Sequence, residues 1–344
     1  MVSDCPTDAF EDGRDVNRFR TASNRSVLDK TPALAQRFAH LAAMSALAYW
    51  HEGRDCKFED EHYLDGIDEP DKAAKAKKIA EDLNNMLKSA DGIWNPVKFE
   101  AMSELTKCQD EIGLFFRVWR RSNKGRDDVV IAFRGTSNFP EDWTYANLWW
   151  VTRFFKSDNQ YSRASKLLES VVLPQLISDA NSEAKQAPRI VVTGHSLGGG
   201  LAQRALYDSP SHIEQAVVFD PSAVTGYVES KHGKEVLCAC NSELGTEAKI
   251  IRVYESGEIL TRLRIWHKIF LPSETQVQEV RLAFYGGTNS VKAHSIRLLA
   301  FRLRDELSSP PKDALWYASP NLECTRKIEE AQRAACTASA CKLP

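Results

Sequence analysis

The sequence predicts an α/β protein built on a mostly parallel sheet with helices on both faces. Three observations carry this expectation. The run Val129-Val130-Ile131-Ala132-Phe133 has no polar face, as in strands buried on both sides. From residue 113 onward such runs alternate with segments of helical period, the order that produces parallel strands joined by crossover helices. One strand-like run, residues 189–194, passes through a glycine-bounded turn directly into a helix-compatible segment.

The elements follow in chain order. Residues 1–30 read as a polar arm. Thr31-Pro32 reads as a helix N-cap and first position, and Leu34, Phe38, Leu41, Ser45 and Ala48 follow at helical spacing toward Gly53. A second helix is expected over residues 71–90, with Ile79, Ala80, Leu83, Met86 and Leu87 on one side. Its Lys72, Lys75, Lys77 and Lys78 read as a solvated face. Strands are expected at residues 113–120 and 129–133. A helix carrying Leu167, Leu168, Val171 and Val172 then bends or ends near Pro174. After it come a strand at 189–194, a helix at 196–207, and strands at 215–219, 249–254 and 277–284. A last helix spans 294–307. The Ser-Ser-Pro-Pro stretch at 308–311 marks the end of the core, so the division expected is an arm (1–30), one α/β domain (31–307) and a cysteine-containing tail (308–344).

Composition excludes several classes. Of the 344 residues, 43% are hydrophobic and 27% charged, which fits an ordinary globular protein. The net charge of −2 gives no reason to expect nucleic acid as a partner. No run approaches the roughly 20 apolar residues that span a bilayer, and the polar N-terminus lacks the apolar core of a secretory signal. The expectation is a soluble protein, cytoplasmic or exported without a cleaved signal peptide. The eight cysteines, Cys5, Cys56, Cys108, Cys238, Cys240, Cys324, Cys336 and Cys341, read as free thiols in such a chain, with the tail the place where bridging fits. Cys238 and Cys240 form C-x-C without a second ligand pair, so no metal site is read there.

Gly194-His195-Ser196-Leu197-Gly198 matches G-x-S-x-G. With glycine near 7% of residues and serine comparably common, such a pattern arises by chance in roughly one chain of this size in ten. The context raises its weight: Ile-Val-Val precedes it and Leu-Ala-Gln-Arg-Ala-Leu-Tyr follows Gly200. A strand–turn–helix places Ser196 on a strained turn, exposed at the carboxyl edge of the sheet, as a nucleophile requires. The helix N-terminus beyond it offers free N–H groups to a developing oxyanion.

Gly194-His195-Ser196-Leu197-Gly198-Gly199, some sixty residues after Phe133-Arg134-Gly135-Thr136, resembles the class 3 lipases, the fungal-type triacylglycerol lipase and phospholipase A1 family. Asp142-Trp143 with Asn147 is similar to that family's D-W-x-x-N element, and the helix ending in Ala48-Tyr49 to its opening. The resemblance spans about residues 33–300 and implies an α/β-hydrolase fold. It implies activity on a lipid ester, either an acylglycerol or a phospholipid, and it implies no cofactor.

The fold also orders the remaining site. One oxyanion donor is the Leu197 N–H, immediately after the nucleophile; by the resemblance, Thr136 supplies the second with its N–H and hydroxyl. Arg134 reads as a structural residue. The chain order is serine, acid, histidine, and four histidines lie beyond Ser196: His212, His232, His267 and His294. His294 follows the last strand and opens the last helix, where this fold delivers its base; His267 is the rival. His195 reads as structural. For the acid, Arg252-Val253-Tyr254-Glu255-Ser256-Gly257-Glu258 looks like the family's R-V-x-x-x-x-D stretch and puts Glu258 in the aspartate's place. Thr261 stands where proline is usual. Asp220, at the end of the 215–219 strand, occupies a position where the family carries glycine; it and Glu255 stay open as rival acids.

Residues 143–155 hold six aromatics in thirteen residues. They read either as a buried element or as an acyl-chain wall or lid that docks transiently on a membrane or micelle. Two other functions remain open: a catalytically idle lipase-like module that binds a protein partner, and a small-ester or thioester hydrolase.

Overall fold

The structure, a computed structural model, describes residues 17–20, 31–50, 72–89, 92–97, 99, 114–123, 125–135, 158–183, 185–222, 224–226, 229–230, 232–233, 236, 249–255, 258, 260, 277–282, 284, 293–308 and 317–318. In chain order the elements are β1 (Asn17–Arg20), α1 (Thr31–Leu47), α2 (Lys72–Asn85), β2 (Lys88–Ser89), β3 (Gly92–Ile93), β4 (Asn95–Val97), β5 (Phe116–Arg121) and β6 (Arg126–Phe133). They continue with α3 (Asp158–Leu167), a π-turn (Leu168–Val172), α4 (Leu173–Ser182), β7 (Gln186–His195) and α5 (Leu197–Asp208). The last are β8 (Ile213–Phe219), β9 (Ile250–Glu255), β10 (Val277–Leu282), α6 (Ile296–Ser308) and β11 (Tyr317–Ala318).

Among the described residues, nine strands form one sheet in the order β11-β1-β10-β9-β8-β7-β6-β5-β4, with β2 and β3 a separate pair. From β6 through β1 the pairings are parallel, and β5–β6, β4–β5 and β1–β11 are antiparallel. The mixed sheet with helices on both faces is the α/β architecture expected. The edge strands β1 and β11 come from the segments read as arm and tail.

Each face carries its own core. Val130 and Ala132 of β6 pack with α1, α2 and α6; Val129, Ile131 and Phe133 pack on the other face with α3, α4 and α5. This split explains why residues 129–133 are apolar without interruption: successive side chains leave the pleat on opposite sides, and both sides are buried. α6 lies against α1, and the Ser45 and Thr193 hydroxyls, 2.9 Å apart, tie α1 to β7.

Two helices differ from expectation. α2 ends at Asn85, five residues early, and the β2–β3 pair follows. Asn84 and Asn85 are poor interior helix residues, and Gly92 takes φ +126, which only glycine adopts readily. The break near Pro174 is a π-turn: the Leu173 N–H donates to the Leu168 carbonyl. Pro174, in the first turn of α4, has no N–H to give the preceding turn, so the ladder widens by one residue there. Among the described residues, no helix is long and apolar enough to cross a membrane.

Candidate active site

The site forms at the carboxyl ends of five neighbouring strands, where ligands bind in open α/β sheets. Gly135 follows β6, Ser196 follows β7, Asp220 follows β8, Glu258 follows β9, and His294 lies between β10 and α6.

Ser196 takes φ 55 and ψ −123 between β7 and α5. A positive φ at a residue with a Cβ is strained, and backbone hydrogen bonds hold it. The Ser196 N–H donates to the Phe219 carbonyl at 3.2 Å, and the Ser196 carbonyl accepts from Gly199 N–H at 3.0 Å and Ser222 N–H at 2.9 Å. A side chain at Gly198 would run into the Phe133 carbonyl, so only glycine lets α5 start this close to β6. A Cβ at Gly135 would lie 2.6 Å from the His195 carbonyl and 3.3 Å from the Ser196 Cβ. The loop after β6 is therefore pressed onto the nucleophile turn. This packing corrects one expectation: Ser196 stands at the sheet edge but is 0% exposed.

Buried polar contacts fix α5 behind the turn. Arg204 Nε donates to Asp208 at 2.6 Å and its Nη1 to the Gly226 carbonyl at 3.0 Å. Tyr161 Oη donates to the Val224 carbonyl at 2.8 Å, and burial pushes its phenol well above the usual range, so it remains a donor. Arg252 donates to Gln203 Oε1, whose amide donates in turn to the Gly199 carbonyl.

His294 Nδ1 lies 2.7 Å from Glu258 Oε2, both side chains buried. The same oxygen accepts the Leu260 N–H at 2.8 Å. A carboxylate accepts only, so in the neutral imidazole the proton sits on Nδ1 and Nε2 keeps its lone pair. Of the rival acids, Glu255 ends β9 and donates its backbone N–H to Asp220 Oδ1 at 2.9 Å. Asp220 is 0% exposed at φ 39. His267 lies outside the described residues, as do Thr136, residues 143–155 and the eight cysteines.

His195 is tied to this centre. Its Nε2 donates to the His294 carbonyl at 2.8 Å, Tyr49 Oη donates to its Nδ1 at 2.9 Å, and its ring centroid is 4.5 Å from that of His294. The tautomer follows from the carbonyl, which can only accept. Tyr49 has a role at the site that the residue pattern alone did not reveal; its place at the end of the first helix was the signal. One potential ligand atom from each of His195, Asp220 and His294 lies within 4.8 Å of the others. Both His195 nitrogens and His294 Nδ1 are engaged with other partners, and Asp220 Oδ1 accepts the Glu255 N–H.

Residues 130–264 match the family model described as Lipase (class 3). No curated protein matches the chain. Similar solved structures include a lipase from Rhizopus microsporus var. chinensis, 15% identical with a TM-score of 0.36, covering 71% of this chain and 70% of that one. Lipase II from Rhizopus niveus is 17% identical with a TM-score of 0.34, covering 75% and 83%. An esterase from Pyrobaculum calidifontis is 11% identical with a TM-score of 0.33, covering 74% and 94%. The segment 130–264, which holds the β6 strand end, the Ser196 turn and Glu258, is similar to the class 3 lipases.

Proposed function

We propose that the protein cleaves lipid acyl esters, as a lipase or phospholipase A1, with Ser196 as nucleophile, His294 as general base and Glu258 as the acid that orients it. The observation that carries this reading is the buried 2.7 Å contact between His294 Nδ1 and Glu258 Oε2, at the same sheet edge as the strained Ser196 turn. With Nδ1 protonated against Glu258, Nε2 is the atom that takes the Ser196 proton as Oγ attacks the ester carbonyl. The imidazolium then protonates the leaving alcohol, and the acyl group stays on Ser196. Water, deprotonated by the same nitrogen, attacks the acyl-enzyme and releases the fatty acid.

The developing oxyanion needs donors already in place. Leu197 opens α5, so its N–H belongs to the first turn, where amides have no intrahelical acceptor. Thr136, next to the tightly packed Gly135, supplies the second donor in this reading. Loss of one such donor costs on the order of 100- to 1000-fold.

Incubation of the protein with mixed acylglycerol and phospholipid vesicles, followed by mass spectrometry of the lipid extract, should show free fatty acid with the matching lysolipid or diacylglycerol. Ser196→Ala should abolish both. Turnover of short soluble esters alone would instead indicate a small-ester hydrolase.

On the substrate side, the aromatic residues 143–155 serve in this reading as an acyl-chain wall or lid. Burying one large aromatic is worth roughly 1.5–3 kcal/mol, so two or three can support docking on a lipid surface without net positive charge. Trp149→Ala with Trp150→Ala should reduce the rise in long-chain activity on passing from monomers to micelles, and spare short esters. Equal loss on both substrates would contradict this role.

A further inference from the structure

Asp220 is a buried carboxylate that the mechanism above does not use. Its backbone takes φ 39, a region that costs any residue with a Cβ and that aspartate tolerates better than most. Its N–H donates to the Val253 carbonyl at 2.8 Å, and Oδ1 accepts the Glu255 N–H at 2.9 Å, so one carboxylate oxygen is fixed by the end of β9. The Asp220–Ser222 turn is also joined to the nucleophile, because Ser222 N–H donates to the Ser196 carbonyl. A carboxylate oxygen of Asp220 and a ring nitrogen each of His195 and His294 lie within 4.8 Å of one another.

We propose that Asp220 is a second carboxylate for the His294 imidazole, a positioning residue whose charge helps hold the proton that His294 takes from Ser196. The inference rests on the Ser196–His294–Glu258 reading and divides the work between two acids. Glu258, at hydrogen-bond distance from Nδ1, sets the tautomer and ring orientation. Asp220 acts through the low-dielectric interior, where a charge this close is weakly screened. Strained backbone concentrates at functional sites, where the surroundings over-determine it. Here the hydrogen bonds to β9 and to the Ser196 turn supply that determination.

Among the described residues, the other titratable groups tied to this centre include Glu258, Glu255, His195 and, beyond His195, Tyr49. The buried cations nearby face other partners: Arg134 lies over the Phe115 ring at 5.3 Å, and Arg252 donates to Gln203. Among the described residues, Asp220 and Glu258 are carboxylates beside His294, and a nearby negative charge favours an imidazolium. The free enzyme needs neutral His294, so activity falls as pH drops through the imidazole's titration. A charge within about 4–6 Å moves such a titration by one unit or more. Removing the Asp220 charge should move the acid limb toward lower pH.

The test is the pH profile of kcat/KM on a soluble nitrophenyl ester for the wild type, Asp220→Asn, Asp220→Gly, Glu258→Gln and His294→Ala. Glycine suits the local backbone, so Asp220→Gly removes the charge with the least risk to folding. Both Asp220 variants should shift the acid limb down by about one unit or more, with a plateau loss far smaller than the roughly 10⁴-fold expected of Glu258→Gln. Adding Asp220→Asn to Glu258→Gln should remove the remaining activity down to the His294→Ala level. An acid limb that superimposes on the wild type in both Asp220 variants would overturn the proposal. So would the reverse ranking, Asp220→Asn crippling and Glu258→Gln mild, which makes Asp220 the orienting acid. Full activity in His294→Ala would instead remove the underlying triad reading.

Discussion

Strands β6 and β7 end in two kinds of polar chemistry. At their amino ends Asp127 receives Lys185 at 3.0 Å, Lys185 reaches Glu183 at 2.6 Å, Arg121 reaches Asp128 at 2.7 Å, and Arg120 reaches Asp179 at 2.8 Å. Several of these partners are open to water, Glu183 at 46% and Asp179 at 37%. At the carboxyl ends of the same strands and their neighbours, Ser196, Asp220, Glu258 and His294 are all buried. Pairs at the first end are numerous, and apart from the buried Asp127 their partners are at least partly open to water, so most contribute little to stability. Groups at the second end are few, and Glu258, His294 and Asp220 are each held by a specific donor or acceptor. Losing Ser196, Glu258 or His294 should cost activity by orders of magnitude, while losing a group at the other end should barely be felt.

The sharpest way to break this contrast is Glu258→Gln. The amide preserves shape but can no longer hold the His294 tautomer, and kcat should fall by about four orders of magnitude while the protein stays folded by circular dichroism. A loss under tenfold would mean that the buried end is no more demanding than the exposed one.

A second prediction lies between the two ends. His40 on α1 stacks on Trp94 with ring centroids 5.7 Å apart, and Arg121 sits over the same indole at 4.7 Å. Burial, reinforced by the Arg121 charge, pushes the His40 imidazole down from 6.5 to about 4. The unfolded chain therefore binds a proton on His40 that the folded one refuses between those values. Stability is intact above pH 6.5 and is lost progressively as pH falls toward 4, by up to about 3 kcal/mol. Urea melts at pH 7 and pH 4.5 should show the loss, and His40→Gln should flatten it. Equal slopes in the two proteins would contradict the assignment.

The smallest effect belongs to the ion-pair network at the amino ends. Burial pushes the Asp127 carboxyl up, but the Lys185 hydrogen bond and the Asn123 N–H outweigh it and hold it below the usual 3.8. Its contribution is present above 3.8 and lost only as pH falls below, a window separate from that of His40. Lys185→Ala should lower the urea midpoint slightly, leave kcat/KM unchanged, and lose its effect in high salt. A change in kcat/KM would show that the two strand ends are coupled.

Legibility in the sequence follows the same geography. The sheet and the Ser196 turn were readable because both rest on contiguous residues: apolar runs such as 129–133, and glycines at fixed offsets around a serine. The proposed acid and base are distant in sequence, so the family resemblance pointed to Glu258 and the order of elements to His294, while Asp220 and Glu255 stayed open as rivals. The structure places Glu258 against His294 and Asp220 within the His195–His294 cluster. The link from Tyr49 through His195 to the His294 carbonyl joins residues 146 and 99 positions apart; no local pattern announces it. The π-turn before Pro174 and the early end of α2 were likewise hidden, because helical periodicity is blind to a one-residue slip and to where capping stops a helix.

The most direct test of the central claim is labelling with a fluorophosphonate, an analogue of the tetrahedral intermediate, read by peptide mass spectrometry. A single adduct should map to Ser196 in the wild-type protein. It should vanish in Ser196→Ala, and it should form far more slowly in His294→Ala and Glu258→Gln. An adduct on another serine, or undiminished labelling of Ser196 in His294→Ala, would contradict the account.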